Sequence, residues 1–349
     1  MSNWEMVDGF AKSEIYSKLS LIKIGDAQID PFGFCNAKCW FCPVRYQKNP
    51  LYAAKHMPPD LMDKILGNIA SEKTSPNGVV SPDFRHFYTA HYNEILLYKH
   101  LKEMLEMCRH YGFMTMILSN GTNLTEEKVE ILSQFKDVIS GINLNIPAFE
   151  EELWMDRSGV TSTSFENLVS GIRLTMEKFP EFVSNGGFSI GVNVPTQDSL
   201  YDSGGWMKLG ENAPKIDLSP EGEQYQQVQI AKSLFPGLNI YPVSSLIDRA
   251  SFLSKEKVID NSDAIVRFRN SKEKVVDCSN GINGRIYGWL HVNAVGETFI
   301  CCNDYNFDYV FGSLVDSDLR DTWLSDRHEE VIVNALGSIC TNCASAVWA

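Results

Sequence analysis

The sequence predicts an α/β fold: a partial (β/α)6 TIM-like barrel over residues 1–259, with its core at about 27–245, and a small α+β subdomain over 260–349. Three observations predict it. Strand-like apolar runs alternate with helix-like segments six times before about residue 245, the order that gives a parallel sheet with right-handed crossovers. After about residue 260 this alternation breaks into shorter strand-like runs. The cysteines are grouped, at 35/39/42 and again at 278/301/302 and 340/343.

The first strand-like run is Ala27 to Gly33, which ends just before Cys35. In MPPDLMDKILGNIA, prolines precede a helix whose Leu61, Ile65, Leu66 and Ile69 recur at three- to four-residue spacing. Phe84 to Thr89 reads as the second strand. NEILLYKHLKEMLEMCRHYGF is an amphipathic helix pattern closed by Gly112. Leu101, Met104, Leu105 and Cys108 share its apolar face, which assigns Cys108 to the core. FMTMILSN follows as a buried strand entering the Asn120-Gly121 turn. Thr125 caps a helix to about Phe135, and Val138 to Asn145 is the fourth strand. A helix from Ser164 to Phe179, a strand from Phe188 to Pro195, a helix from Glu223 to Leu234 and a strand from Leu238 to Val243 complete the alternation. Gly296-Glu297 marks a hairpin in the C-terminal segment. In such a sheet, ligands sit at the carboxyl ends of the strands.

The composition is that of a globular protein, with 44% hydrophobic and 21% charged residues in a chain of 349. A formal net charge of -13 argues against capture of nucleic-acid phosphates or an anionic lipid surface. The N-terminal MSNWEMVDGFAKSEIYSKLS lacks the basic head and apolar run of a secretory signal, and no stretch has the 18 or so apolar residues of a membrane helix. The expected setting is therefore cytoplasmic and reducing, with no membrane or nucleic-acid partner. There the nine cysteines point to metal rather than to disulfides.

The run FGFCNAKCWFCPV gives C-x3-C-x2-C directly after the first strand, three thiolates on one short turn at the barrel mouth. Three ligands leave one iron of a four-iron cluster free to bind something else. A structural zinc site would want a fourth ligand and usually prefers C-x2-C pairs. The spacing, with Phe41 before the third cysteine, resembles the defining motif of the radical S-adenosylmethionine (SAM) superfamily. That resemblance implies a 4Fe-4S cluster on Cys35, Cys39 and Cys42, with SAM chelating the unique iron through its amino and carboxylate groups.

The resemblance extends along the chain. In AHYNEIL, Glu94 matches a glutamate that contacts the methionine amino group, although Tyr92 and Asn93 replace glycines of that turn. Glu94 also suits the exposed first turn of the next helix, where the macrodipole favours an acid. SNGTNLT resembles the family's third-strand turn, and GINLNIPAFEEELWMDRSG its fourth strand and following segment. Asn143 stands where a serine is common, and Arg157 matches an arginine that pairs with the cosubstrate carboxylate, the alternative being a salt bridge to Asp156. Phe41 and Asn193 complete the candidate cofactor-binding residues, with Arg249 in SSLIDRA a further one. His86 and His91 flank the second strand's carboxyl end, where each could be an acid or base or a hydrogen-bonded structural histidine.

Near the other end, Cys278, the G-x4-C of Gly296 to Cys301, Asn303, Asp304 and the C-x2-C of Cys340 and Cys343 resemble the twitch subdomain, a shortened SPASM extension of radical enzymes. The resemblance implies one auxiliary 4Fe-4S cluster on Cys278, Cys301, Cys340 and Cys343, with Cys301 preferred over Cys302 by its spacing from Gly296. A full SPASM extension would carry more cysteines beyond Cys343, and a four-cysteine zinc site is the alternative.

The implied activity is reductive cleavage of SAM, fed by a flavodoxin- or ferredoxin-type electron donor, then abstraction of a hydrogen atom from substrate. An auxiliary cluster suits an oxidoreductase that dehydrogenates or epimerises a small metabolite such as a sugar or cyclitol. A maturase acting on a ribosomally made peptide is the alternative. About 34 residues precede Cys35, too few for the leader-binding domain of some peptide-modifying relatives. A non-catalytic iron-sulfur electron carrier or zinc-binding protein could also use both cysteine groups, but would saturate its clusters.

Overall fold

The computed structural model describes residues 12–52, 56–89, 91–202, 208–243, 246, 248–260, 274–281, 284–343 and 345–349. Its strands are β1 (Asp26–Ile29), β2 (His86–Tyr88), β3 (Met114–Ser119), β4 (Ile139–Ile146), β5 (Phe188–Val192), β6 (Lys208–Leu209) and β7 (Asn239–Pro242). There follow β8 (Ile259–Asp260), β9 (Val275–Cys278), β10 (Trp289–Val292), β11 (Glu297–Phe299), β12 (Val310–Ser313) and β13 (Ala346–Trp348). The main sheet has nine strands in the order β12-β11-β10-β1-β2-β3-β4-β5-β7. From β1 to β7 the pairing is parallel throughout, the predicted six-stranded partial barrel.

The apolar spacing places the helices as expected, except that the segment read as one helix from Asn93 to Phe113 is divided into a 3-10 turn, Ile95–Leu97, and a helix that starts only at Leu101. Helix Pro59–Thr74 buries Met62, Ile65, Leu66 and Ile69, while Leu61 is half-buried against the C-terminal hairpin beside Gly296. Helix Leu101–Tyr111 buries the four residues read as one face, Cys108 included, and ends on Gly112 at φ 70°. Thr125 and Ser164 cap their helices by accepting from Lys128 N and Asn167 N. Helices Lys12–Leu21, Glu151–Ser158 and Pro180–Asn185 were not foreseen.

The C-terminal segment joins the sheet rather than standing clear of it. β10 pairs in parallel with β1, and β11 and β12 add antiparallel strands beyond it. A six-stranded partial barrel has two open edges, and this addition covers the first. β9 pairs with β13, and β6 with β8, in small antiparallel ribbons.

Alternation separates two faces of the main sheet. Ala27, Ile29, Phe87, Ile117, Ile142, Leu144, Ile190, Val192, Leu290 and Val292 belong to the apolar core. The opposite, inner face is mostly polar, buried at Gln28 and His291 and exposed towards β7. Registers place Gln28 beside Tyr88 and His291, Asn143 beside Ser189, Ser189 beside Asn239, and Gly191 beside Tyr241. Asn145, Asn239 and Tyr241 are exposed there. A sheet with one dry face and one wet, concave face is built to receive a ligand.

In the C-terminal segment His328 is buried, with Nδ1 donating to Trp323 O at 2.8 Å and its ring stacked 3.7 Å from Phe311. Burial pushes its pKa down from 6.5 to about 4. The unfolded chain therefore takes up the proton first as pH falls. Stability from this group is complete above pH 6.5 and drops by up to about 3 kcal/mol towards pH 4. His328→Gln is expected to flatten the acid limb of a urea-unfolding pH series; an unchanged limb would refute the assignment.

Candidate cofactor and metal centre

The first cysteine loop leaves β1 at the carboxyl end of the sheet, where the sequence placed it. Its shape is held from outside: Lys38 N donates to Ser158 O at 2.7 Å and Trp40 N to Arg157 O at 3.1 Å, both at the end of helix Glu151–Ser158. Gly159, at φ 59°, closes that helix, and a Cβ there would lie 3.0 Å from the Lys38 backbone. Cys42 N bonds Cys39 O at 2.9 Å, and Cys42 opens the short helix Pro43–Tyr46. Cys35 Sγ accepts from Ala37 N at 3.4 Å and from Asn120 Nδ2 at 3.8 Å.

Burial pushes the Cys35 thiol up to about 12 and Cys39 well above its usual value, and their mutual repulsion with Cys42 adds to both. The three cysteines are each half-buried on this one loop. Iron would displace these protons, so thiolate coordination offsets the burial penalty. Among the described residues no group of three His, Cys, Asp or Glu side chains converges as a single metal ion would require. Three cysteines of one loop are the donor chemistry of a thiolate-ligated iron-sulfur group.

Glu94 is not an exposed first-turn acid: it is 1% exposed and caps the short 3-10 helix Ile95–Leu97. Its Oε1 accepts from Ser119 Oγ at 2.7 Å and Leu96 N at 3.1 Å, and its Oε2 from Asn120 N at 2.8 Å. Burial raises its pKa, and these hydrogen bonds work against that rise. Asn120 joins the carboxylate to the cysteine loop, since its Nδ2 also reaches Asn36 Oδ1 at 3.1 Å. Its Oδ1 accepts from Thr122 N and Oγ1. Asn36, Asn120 and Thr122 were not singled out from sequence; the SNGT turn was their signal. Tyr92 and Asn93, which stand in place of glycines, tie this turn to other loops. Tyr92 donates to Cys302 O at 3.0 Å and Asn93 to Asp30 Oδ1 at 3.2 Å.

The other candidates fall in several places. Phe41 packs edge-on against Trp40, 5.7 Å away, beside the cysteine loop. Asn143 lies on the inner face and donates to Ser189 Oγ at 2.9 Å and Tyr241 Oη at 2.6 Å. Asn193 follows β5, with its buried Nδ2 unpartnered. Arg157 is 4% exposed and paired with Glu223 at 3.1 Å and Lys215 O at 2.7 Å, with Asp156 farther off at 3.7 Å; its Nε and Nη1 make no hydrogen bond. Its principal ion-pair partner thus comes from a distant helix rather than from the neighbouring residue. His86 starts β2 and so lies at the opposite end of the strand from that expected. His91 is bonded on both sides, to Asp30 Oδ2 at 2.9 Å and Cys302 O at 2.6 Å, as a structural histidine would be. Arg249 sits at φ 53° and lines a cavity of 390 Å³ with Asn303 and Tyr305.

The second cysteine set comes from three places in the fold. Cys278 ends β9 opposite Ala346 of β13, while Cys340 lies within the turn Ile339–Asn342 and Cys343 closes it, its N donating to Cys340 O. Cys301 follows β11, and Asn303 bridges: its N reaches Cys301 Sγ at 3.4 Å and its Nδ2 reaches Cys343 Sγ at 3.5 Å. Burial raises the Cys301, Cys340 and Cys343 thiols. Repulsion adds to it between Cys301 and Cys340, between Cys340 and Cys343, and from Cys278 onto Cys340 and Cys343. Cys302 is also close by: its charge adds to the rise at Cys301 and Cys343, while its carbonyl accepts from His91 and Tyr92. Between the two sets lie Tyr92 and Tyr305, edge to face at 4.3 Å, and Tyr305 Oη donates to Gln47 O beyond Cys42.

Family models match both regions: the one described as the radical SAM superfamily over residues 29–199, and the SPASM model, described as an iron-sulfur cluster-binding domain, over 284–344. The chain belongs to the radical SAM superfamily and carries a SPASM iron-sulfur domain, and these two imply SAM and 4Fe-4S clusters as its cofactors. No curated protein matches the chain. Among solved structures it is similar to BtrN in complex with AdoMet and 2-DOIA, at 14% identity and TM-score 0.52, over 93% of this chain and 92% of that one. It is also similar to Streptococcus suis SuiB bound to S-adenosylmethionine, at 16% identity and TM-score 0.56, over 92% of this chain and 70% of that one. A third is anSMEcpe with bound AdoMet, at 13% identity and TM-score 0.53, over 88% and 82% of the two chains. At these identities the likeness is one of fold.

Proposed function

We propose that this chain is an oxidoreductase of its superfamily, with one auxiliary cluster on Cys278, Cys301, Cys340 and Cys343, that oxidises or epimerises a small polar metabolite held against the inner face of the barrel. The observation that carries this reading is the inner face itself. Exposed Asn145, Asn239 and Tyr241, with half-buried Asn143 and buried Ser189, form an uncharged face of amide and hydroxyl groups on the sheet whose carboxyl end holds the first cysteine loop. Such groups bind hydroxyl-rich ligands by paired donors and acceptors.

When bound, the first cluster supplies one-electron reductive cleavage of SAM to methionine and a 5'-deoxyadenosyl radical. Cys35, Cys39 and Cys42 hold it, while Glu94, fixed by Ser119, Leu96 and Asn120, presents a carboxylate beside Cys35 where a cosubstrate amine would lie. Phe41, Arg157 and Asn193 are proposed as further cosubstrate contacts. Asn143 and Tyr241 orient the substrate from below. Cys278, Cys301, Cys340 and Cys343 would hold an auxiliary cluster, which would supply an acceptor for the second electron of a two-electron oxidation. The reductant is a flavodoxin- or ferredoxin-type protein, and the setting is cytoplasmic; no helix among the described residues is long and apolar enough to cross a membrane.

The second reading is a peptide substrate, favoured by similar structures of SuiB bound to its precursor peptide SuiA and of anSMEcpe with a bound peptide. Anaerobically reconstituted protein with dithionite and SAM is expected to form 5'-deoxyadenosine and to contain about eight irons. Deuterium transfer from labelled sugars, cyclitols or peptides into that product would decide between substrates. No product, despite assembled cluster and measured SAM binding, would overturn the proposal.

A further inference from the structure

β10 lies against the first barrel strand, and the inner side of this seam holds polar groups without partners. Leu290 and Val292 are buried in the core, so alternation turns Trp289 and His291 to the inner face, beside their register partners Asp26 and Gln28. His291 is 0% exposed, yet neither ring nitrogen has a hydrogen-bond partner. Gln28 Nε2, Trp289 Nε1 and Arg285 Nε are unpartnered as well. These side chains form one patch. Arg285 Nη1 donates to Gln28 Oε1 at 3.5 Å, the guanidinium lies 4.1 Å over the Trp289 ring, and Trp289 and His291 stack at 6.2 Å.

A buried polar atom left unpaired costs about 1–3 kcal/mol, so a patch with several must be served by solvent or by a ligand. The donor inventory says which ligand. The Gln28 amide nitrogen, the Trp289 indole and the Arg285 guanidinium donate only. Burial and the nearby Arg285 charge keep His291 neutral, with one donor and one acceptor. Donors therefore outnumber acceptors, and the patch carries a cation. The nearby carboxylates satisfy it only in part: Asp30 acts on the Gln28 side chain but is held by His91 and Asn93, and Asp26 acts on Arg285 through space. With a single cation and a neutral histidine, the patch suits a monoanion with two oxygens better than a doubly charged phosphate.

We propose that Gln28, Arg285, Trp289 and His291 form a subsite for a carboxylate group of the substrate. The proposal rests on the reading that a small molecule occupies the barrel interior. At about 3.3 Å per residue, the Asp26–Gln28 level lies roughly 7–13 Å from the Asp30 end of β1, where the cysteine loop begins. The carboxylate is thus the distal end of the substrate, and the carbon that is oxidised lies several bonds away from it.

The test uses the reconstituted holoenzyme labelled with 15N-tryptophan, the Trp289 indole resonance being assigned through Trp289→Phe. Sodium acetate is titrated at constant ionic strength, with chloride and inorganic phosphate as comparisons. The expected result is a saturable acetate-dependent shift of that resonance, weakened at least about tenfold in Arg285→Gln and less in Arg285→Lys, with phosphate weaker than acetate. No saturable shift, an equal response to chloride, or unchanged acetate affinity in Arg285→Gln would leave the patch to ordered water and overturn the subsite. Tighter binding of phosphate would overturn the carboxylate assignment. Substrate-free formation of 5'-deoxyadenosine by the wild-type protein is measured in parallel. Its absence would count against the enzyme reading alone, whereas the indole titration would still stand or fall separately.

Discussion

Replacing Cys35, Cys39 and Cys42 together by Ala is expected to reduce 5'-deoxyadenosine formation to background and to remove about half the iron, while the absorbance of the second centre persists. Independence follows from where the two sets are anchored. The first loop hangs on backbone bonds from Lys38 and Trp40 to helix Glu151–Ser158, which no cysteine side chain supplies. The second set is pinned by the β9–β13 ribbon, the Ile339–Asn342 turn and Asn303. Removing three thiols therefore takes away ligands without removing the scaffold. Iron analysis and visible absorbance of the anaerobically reconstituted variant check this. Residual SAM cleavage would mean that the cluster is held elsewhere, and loss of both centres would mean that the two sets fold together.

The second large effect concerns Glu94. Glu94→Ala removes the acceptor for Ser119 Oγ, Leu96 N and Asn120 N at a site that water does not reach. At about 1–3 kcal/mol for each donor left unsatisfied, a total loss on the order of 3–5 kcal/mol is expected. The same change frees Asn120, which touches Cys35 and Asn36, so SAM binding should weaken along with stability. Glu94→Gln keeps the shape and one acceptor oxygen, and should cost about 1–2 kcal/mol. Urea unfolding and equilibrium SAM binding measured on both variants separate the two losses. If Glu94→Ala were as stable as wild type, the carboxylate would not be buried as described; if it bound SAM as tightly, Glu94 would be a structural cap alone.

What could be read in advance follows from the range of the forces involved. Cys108 was legible as core because Leu101, Met104, Leu105 and Cys108 recur at helical spacing, and caps such as Thr125 and Ser164 act within three residues. The grouping of the cysteines was legible because candidate thiolate ligands stand closely spaced within a loop or turn. Glu94 was half legible: its position matched, but its burial arises from Phe34, Ser119 and Asn120, which are remote in sequence. His86 was misplaced because strand ends are set by partner strands as much as by the residues themselves.

Residue order by itself thus determined the parallel α/β barrel and the cysteine loop at the end of its first strand, both of which rest on periodicity and short-range spacing. Only the tertiary structure decided that β10 would pair with β1, so that Arg285, Trp289 and His291 share a wall with Gln28, and that Arg157 would turn to Glu223 rather than stay with its neighbour Asp156. The pairing of β10 with β1 depends on strand register across more than 250 residues of chain, and that of Arg157 on the packing of two distant helices. Neither leaves a periodic trace in the residues that take part.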